Sequence, residues 1–334
     1  MAAGLHSWAG RRLGWLALVA ALLAPFVNAS PYTLSVLTSA ALFAMLAVGL
    51  NIVVGYCGLL DLGYAAFFAI GAYTSGVLST RFDWPLLATV PVVVAASVLA
   101  GIIIGGPTLR LRSDYLAIVT LGFGEIIRIT ANNLSLTGGP SGIYGIPGPS
   151  VFGLDLGSPV ALYFTVVVVL ALAVVAAGRL GRSRIGRAWR FVREDEDAAE
   201  AVGVHTYKVK LAAYIAGAIW GGLAGVLFGA QLSAISPQSF TFLQSALVLM
   251  AVVLGGMGSN PGVIVGAVVI SVLPEVLRGA ADYRFFVFGV LLIAMMIFRP
   301  QGIWPHRVRE VVDRDDEPFA VPPVDSAPAS EVPR

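Results

Sequence analysis

Residues 159–178 read PVALYFTVVVVLALAVVAAG without a single charge, and residues 179–210 continue RLGRSRIGRAWRFVREDEDAAEAVGVHTYKVK. An apolar run of about 20 residues crosses a hydrocarbon core of about 30 Å at about 1.5 Å per residue. The first stretch therefore reads as a membrane-spanning helix and the second as its aqueous connection. The whole chain agrees. Of 334 residues, 57% are hydrophobic and 12% charged, against about 25% charged in a soluble domain, which is too little charge to coat a wetted surface. Mean hydropathy is +0.86. A formal net charge of +2 leaves neither a nucleic-acid footprint nor an acidic solvating domain. The lone Cys57 excludes an intramolecular disulfide, and His6, His205 and His306 are too scattered for a metal cluster. No metal and no cofactor bound by this chain is expected.

Ten apolar runs of this kind occur along the chain: 13–29, 33–54, 62–80, 85–106, 115–133, 159–178, 209–231, 242–256, 261–278 and 285–298. The eighth and tenth are short, so nine spans is the alternative count. Together they predict an all-α polytopic membrane helix bundle with broken or short helices around a central path. With the N-terminus inside, 17 of the 21 Lys and Arg fall on the cytoplasmic side, as basic residues should. Both termini are therefore expected in the cytoplasm. Arg11-Arg12, an apolar run and Val27-Asn28-Ala29 could also form a cleaved signal peptide. Pro25 and the length of the run favour an uncleaved first helix.

Three regions break the pattern. Residues 55–63, GYCGLLDLG, are too short and apolar for an aqueous loop. They make either a tight turn or a broken helix lining a path, since non-helical backbone at membrane depth needs protein or a watery cavity around it. In the outer segment 132–158, eight of the twelve residues from Gly138 to Pro149 are Gly or Pro, which rules out a helix. Its LTGGP (136–140) superficially resembles the signature of ABC ATPases. No Gly-Lys-Ser/Thr loop accompanies it, and Lys208 and Lys210 are the only lysines, so the chain has no nucleotide site of its own. In the third region, 179–210, a basic half (Arg179 to Arg193) precedes an acidic one (Glu194, Asp195, Glu196, Asp197, Glu200) and Gly203. Acidic residues at a helix start and a glycine after its end predict a short helix over 195–202. Ala198, Ala199, Ala201 and Val202 give it a small face suited to a partner's groove. The alternative is a basic loop held by anionic lipid.

Glycine recurs every four residues at Gly217, Gly221, Gly225 and Gly229, and again at Gly258, Gly262 and Gly266. This spacing keeps a small-residue stripe on one helix face, favouring close packing over a substrate role. Asn260-Pro261 reads as a cap and first helical turn. Glu125 and Arg128 lie three apart within a span and can pair, for structural neutralisation or as a gate lining. Glu275 near a span end can reach the interface. No catalytic triad, carboxylate pair or His-Glu-x-x-His site is visible, so no enzyme is expected.

GLLDLGYAAFFAIGAY (58–73), YLAIVTLGFGEIIR (115–128), LTGGP (136–140), GIP (145–147), GRAWRFVREDEDAAEAVG (186–203), LGGMGS (254–259) and FRPQG (298–302) resemble the branched-chain amino-acid ABC-transporter permeases of the M-subunit type. The resemblance covers about residues 39–302, with the blocks in family order. It implies a bacterial inner-membrane subunit that pairs with a sister permease. Two cytoplasmic ATPases using ATP and Mg would drive it, and an external binding protein would deliver leucine, isoleucine or valine. The run Asp197-Ala-Ala-x-x-x-Gly203 is similar to the importer coupling motif, with Asp for Glu and without the downstream Ile-x-Leu-Pro. The coupling residues so implied are Gly186, Arg187, Arg193, Glu194, Asp195, Asp197, Ala198, Ala199 and Gly203. Candidate path residues are Gly58, Asp61, Gly63, Tyr64, Phe67, Gly122, Glu125, Arg128, Gly255 and Gly256.

A urea or short-amide permease of the same family is the nearest rival reading. An ion-coupled secondary transporter would have Glu125 as its one candidate coupling site. Residues 1–309 read as the permease domain, with the coupling loop at 179–210. Residues 310–334, rich in Asp, Glu and Pro, read as a disordered cytoplasmic tail.

Overall fold

The computed structural model describes residues 30–109, 113–151, 154–276, 289–290, 293 and 302–304. Ser30 caps the first described helix, α1 (Pro31–Asn51): its Oγ accepts from the Thr33 amide at 3.1 Å, and Pro31 opens the first turn, where its missing N–H needs no partner. The same ladder widens into a π-helical turn, Ile52–Tyr56, before the backbone leaves helix altogether. Next come α2 (Ala65–Arg81), α3 (Leu86–Thr108), α4 (Ser113–Asn133) and α5 (Pro159–Arg182). Two short helices, α6 (Arg184–Glu194) and α7 (Glu196–Ala201), lead into α8 (Thr206–Leu232), α9 (Phe242–Gly255) and α10 (Asn260–Val276).

Each of the second to ninth expected spans thus coincides with a helix in an all-α bundle. Among the described residues, four stretches are each long and apolar enough to cross a membrane: Pro31–Tyr56, Leu86–Thr108, Pro159–Arg182 and Thr206–Leu232. The first expected span, nearly all of the tenth, and the tail at 310–334 lie outside the described residues. Two boundaries differ from expectation. α5 continues through Arg179 to Arg182, where cations suit the negative end of the helix dipole. α8 begins at Thr206, so Lys208 and Lys210 belong to its first turns.

α1 and α8 form the centre, α8 packing on α1, α2 and α3, and α1 on α5, α9 and α10. The outer faces are apolar: Val168, Leu172 and Val175 of α5 and Leu99, Ile102 and Ile103 of α3 are all exposed. That is the surface a bilayer accepts. The inner seam is made by glycine. A Cβ on Gly217 would stand 2.5 Å from Val53 Cγ2, and one on Gly225 2.3 Å from the Phe68 carbonyl oxygen of α2. Gly221 faces Tyr64 and Phe67, and Gly229 reaches Ile146 in the loop after α4. Gly71 of α2 approaches the Gly222 carbonyl in the same way. Gly262 and Gly266 of α10 lie on Gly255 and Ala251 of α9.

Among its described residues the glycine- and proline-rich loop 134–158 contains no α-helix. It does hold two single 3-10 turns, Ser135–Thr137 and Gly139–Ser141. Each closes on one i→i+3 bond (Gly138 N to Ser135 O, 3.2 Å; Gly142 N to Gly139 O, 3.1 Å), which a stretch too poor for an α-helix can still make. The loop is then tied down by β1 (Ile143–Tyr144), antiparallel to β4 (Ala234–Ile235) just beyond α8. A second small pair joins β2 (Ser150–Val151) to β3 (Leu154–Asp155).

Candidate functional site

Between the π-turn and α2 the backbone at 58–63 is non-helical yet largely inside the protein: Leu59 and Asp61 are buried. Its amides find partners from three directions. Leu62 N donates to Thr120 Oγ1 of α4 (3.1 Å), Gly63 N to Asp61 Oδ1 (2.8 Å) and Ala65 N to Ser245 Oγ of α9 (2.8 Å). Buried amides left unpaired would cost about 1–3 kcal/mol each, so these side chains make the break tenable. Gly63 is required by proximity, since a Cβ there would sit 2.0 Å from the Thr120 carbonyl oxygen. Tyr64 donates to Gly217 O (2.9 Å), and Phe67 meets Tyr64 and Tyr214 edge-on. Asp61, Tyr64 and Phe67 therefore form one buried group between α2, α4 and α8.

Glu125 and Arg128 are apart from that group. They pair along α4 (Nε to Oε2, 2.7 Å) with side chains a quarter to a third exposed. Gly122, one turn before Glu125, has open space where a Cβ would be. Tyr115, Ile118, Ile126 and Ile129 continue the same exposed face. Apart from Gly255 and Gly256, the candidate path residues thus divide between a largely buried break and an open, mostly apolar helix face carrying one ion pair.

The charged connection is more ordered than its composition suggests. The expected short helix is α7, with Asp195 as cap accepting from Ala198 N at 2.9 Å, and Gly203 at φ +87° closing it through Gly203 N to Glu200 O (2.9 Å) and Val204 N to Ala199 O (3.0 Å). The basic half, read as loop, is the amphipathic helix α6. Ser183 caps it through Gly186 N (3.2 Å), and Gly186, Trp189 and Val192 form its buried stripe. Trp189 Nε1 donates to Val209 O at 2.8 Å, and Lys210 pairs with Glu196, fastening both short helices to α8. The small face of α7 is split by this docking: Ala199 is fully buried while Ala201, Val202 and Gly203 are exposed. Arg187, Arg193, Glu194 and Asp197 also remain exposed, and Ala198 is half-buried.

Gly255 and Gly256 form the start of the α9–α10 connection. Gly256 has φ +110°, and the segment 302–304 lies against it, with Ile303 N donating to Leu254 O (2.9 Å) and Trp304 N to Gly255 O (3.0 Å). The cap of α10 is Ser259, whose Oγ accepts from Gly262 N at 3.4 Å, and not Asn260. Asn260 turns its carboxamide inward instead, where its Oδ1 accepts from both Asn51 Nδ2 and Tyr56 OH at 3.0 Å each. Asn51, Tyr56, Trp189 and Asn260 are not singled out as site residues by the sequence alone. The three-residue spacing of Gly186, Trp189 and Val192 behind Ser183 would have revealed α6. Nothing local announces a bond between residues some two hundred positions apart.

The family described as branched-chain amino acid transport system / permease component matches residues 32–298. The chain is 41% identical to the high-affinity branched-chain amino acid transport system permease protein LivM of Escherichia coli, over 86% of this chain and 73% of that protein. It is 27% identical to BraD of Pseudomonas aeruginosa (80% and 92% covered) and 27% identical to LivH of E. coli (78% and 90%), both named permease proteins of such systems. No solved structure matches. A family match across most of the chain, together with a polytopic bundle of apolar helices, shows that the chain is a membrane protein belonging to the permease components of branched-chain amino acid transport systems.

Proposed function

We propose that this chain is the membrane permease subunit of an ATP-driven importer that moves leucine, isoleucine and valine. The observation that carries the proposal is the helix pair α6–α7, an ordered, charged module fastened to α8 in a chain 41% identical to LivM. A module of this kind suits docking to a separate ATPase, with ATP and Mg bound by that partner. Two ATPases, a sister permease and an external binding protein complete the assembly. Both termini and the helix pair face the cytoplasm, 132–158 faces out, 1–309 forms the permease domain and 310–334 its tail.

Transport proceeds by alternating access. Nucleotide binding draws the ATPases together, the docked helices move with them, and glycine-packed spans tilt about their close contacts. The path runs beside the break at 58–63 and the open face of α4, at the junction with the sister subunit. Uptake of labelled leucine, isoleucine, valine, urea and acetamide by cells with and without the gene tests the substrate. Loss of branched-chain uptake alone on deletion is expected. Loss confined to urea or acetamide would replace the proposal with an amide permease.

A further inference from the structure

The π-turn Ile52–Tyr56 is clamped from two sides. On one side is the turn joining α9 and α10. Asn51 Oδ1 accepts from Gly258 N (2.8 Å), Asn51 Nδ2 donates to Asn260 Oδ1 (3.0 Å), and Tyr56 OH donates to that same oxygen (3.0 Å). Gly55 makes this approach possible, since a Cβ there would be 1.9 Å from Asn51 Oδ1 and 2.6 Å from Gly258 N. On the other side is α6. The Arg193 guanidinium donates to Gly55 O, and the Trp189 ring stacks on Tyr56 with centroids 6.5 Å apart and planes 14° from parallel.

Both neighbours are places where regular structure stops. α6 ends at Glu194, beside Arg193, and the α9–α10 turn holds Gly256 and Gly258 at positive φ. The π-turn between them is wider than an α-turn, a form frequently met at functional sites, and it feeds directly into the adjoining backbone. That adjoining backbone is the break at 58–63. A π-turn bonded to a charged helix on one face and to a glycine turn on the other is placed to couple them. Pure packing would not need one carboxamide oxygen to gather donors from both ends of the π-turn.

We propose that Tyr56 and Asn260, held with Asn51, are positioning residues that transmit movement of α6–α7 to the α9–α10 turn and to the break beside the path. The inference rests on the ATP-driven reading above. Its test uses the whole complex in proteoliposomes: this chain, its sister permease, the ATPases and the binding protein. Leucine uptake and ATP hydrolysis are measured together for wild type, Tyr56→Phe and Asn260→Ala. Tyr56→Phe keeps the ring stack and deletes only the hydroxyl. Its complex should assemble in normal yield with unchanged Tm and hydrolyse ATP, while leucine moved per ATP falls about fivefold or more, the low end of measured coupling factors. If Asn260→Ala does not assemble, Tyr56→Phe decides alone. An unchanged leucine-to-ATP ratio in Tyr56→Phe would overturn the inference, as would lower yield or Tm at an unchanged ratio, which is the mark of packing alone. Wild-type complex without ATP-dependent uptake would refute the ATP-driven reading itself and remove the inference with it.

Discussion

Gly225→Ala asks how much of this bundle depends on backbone-to-backbone contact. The added Cβ would lie 2.3 Å from the Phe68 carbonyl oxygen and 2.6 Å from the Ala72 amide nitrogen, whereas ordinary contact begins at 3.4 Å. Both obstacles are main chain within α2, so no rotamer change relieves them. α2 and α8 must instead separate by about 1 Å, and a gap of that size forfeits a quarter to a half of each dispersion contact along the seam. The Gly71–Gly222 approach lies on the same seam and opens with it. Overpacking costs about 1–3 kcal/mol, and here the upper end applies because the whole interface moves. A loss of about 3 kcal/mol is roughly a hundredfold in the folded-to-unfolded ratio. Gly178 of α5 is the control: nothing lies within 4 Å of its Cβ position. Alanine there should stabilise by about 0.5–1 kcal/mol through the unfolded chain alone. Titrating the purified protein with SDS in mixed micelles, read by circular dichroism, measures both. Equal stabilities for Gly225→Ala and wild type would show that α2 and α8 do not depend on this close approach.

Glu125→Gln or Arg128→Gln alone should impair transport more than both together, because a lone charge in a span costs roughly 2.5–3.5 kcal/mol on insertion scales; additive losses in uptake assays would give each residue a separate role. Gly203→Val forces a β-branched residue to φ +87°, and Ala199→Trp overfills a fully buried site; both should abolish ATP-driven uptake while binding-protein docking persists. If those variants are silent and removing Arg182, Arg184 and Arg187 is not, α6–α7 is a lipid anchor. Ser141→Cys in a Cys57→Ala background should react with a membrane-impermeant maleimide from outside; labelling only from inside would invert the topology.

How far the residues alone reach varies along the chain. Uninterrupted apolar runs such as 159–178 announce helices because only a helix satisfies its own backbone in lipid. The cap and stop of α7 were legible in Asp195 and Gly203, since both act within one turn of the helix they end. α6 was obscured because its four arginines suit an aqueous connection as well as a helix, although the stripe Gly186, Trp189 and Val192 was there to be counted. The break at 58–63 was visible as an anomaly. Its partners Thr120 and Ser245 were not, because the side chains that satisfy it come from other helices. The same holds for Asn260, whose sequence context says helix cap and whose carboxamide instead joins Asn51 and Tyr56. Glu125 and Arg128 were correctly seen as neighbours, yet only the fold separates them from Asp61.

On the proposed function, this permease works under ATP hydrolysed by partner subunits. Proteoliposomes holding the full complex, with binding protein and labelled leucine outside and no ion gradient, isolate that dependence. The account predicts leucine accumulation on enclosed ATP, none with a non-hydrolysable analogue, and no effect of a protonophore. Accumulation without ATP on an imposed proton or sodium gradient would contradict it.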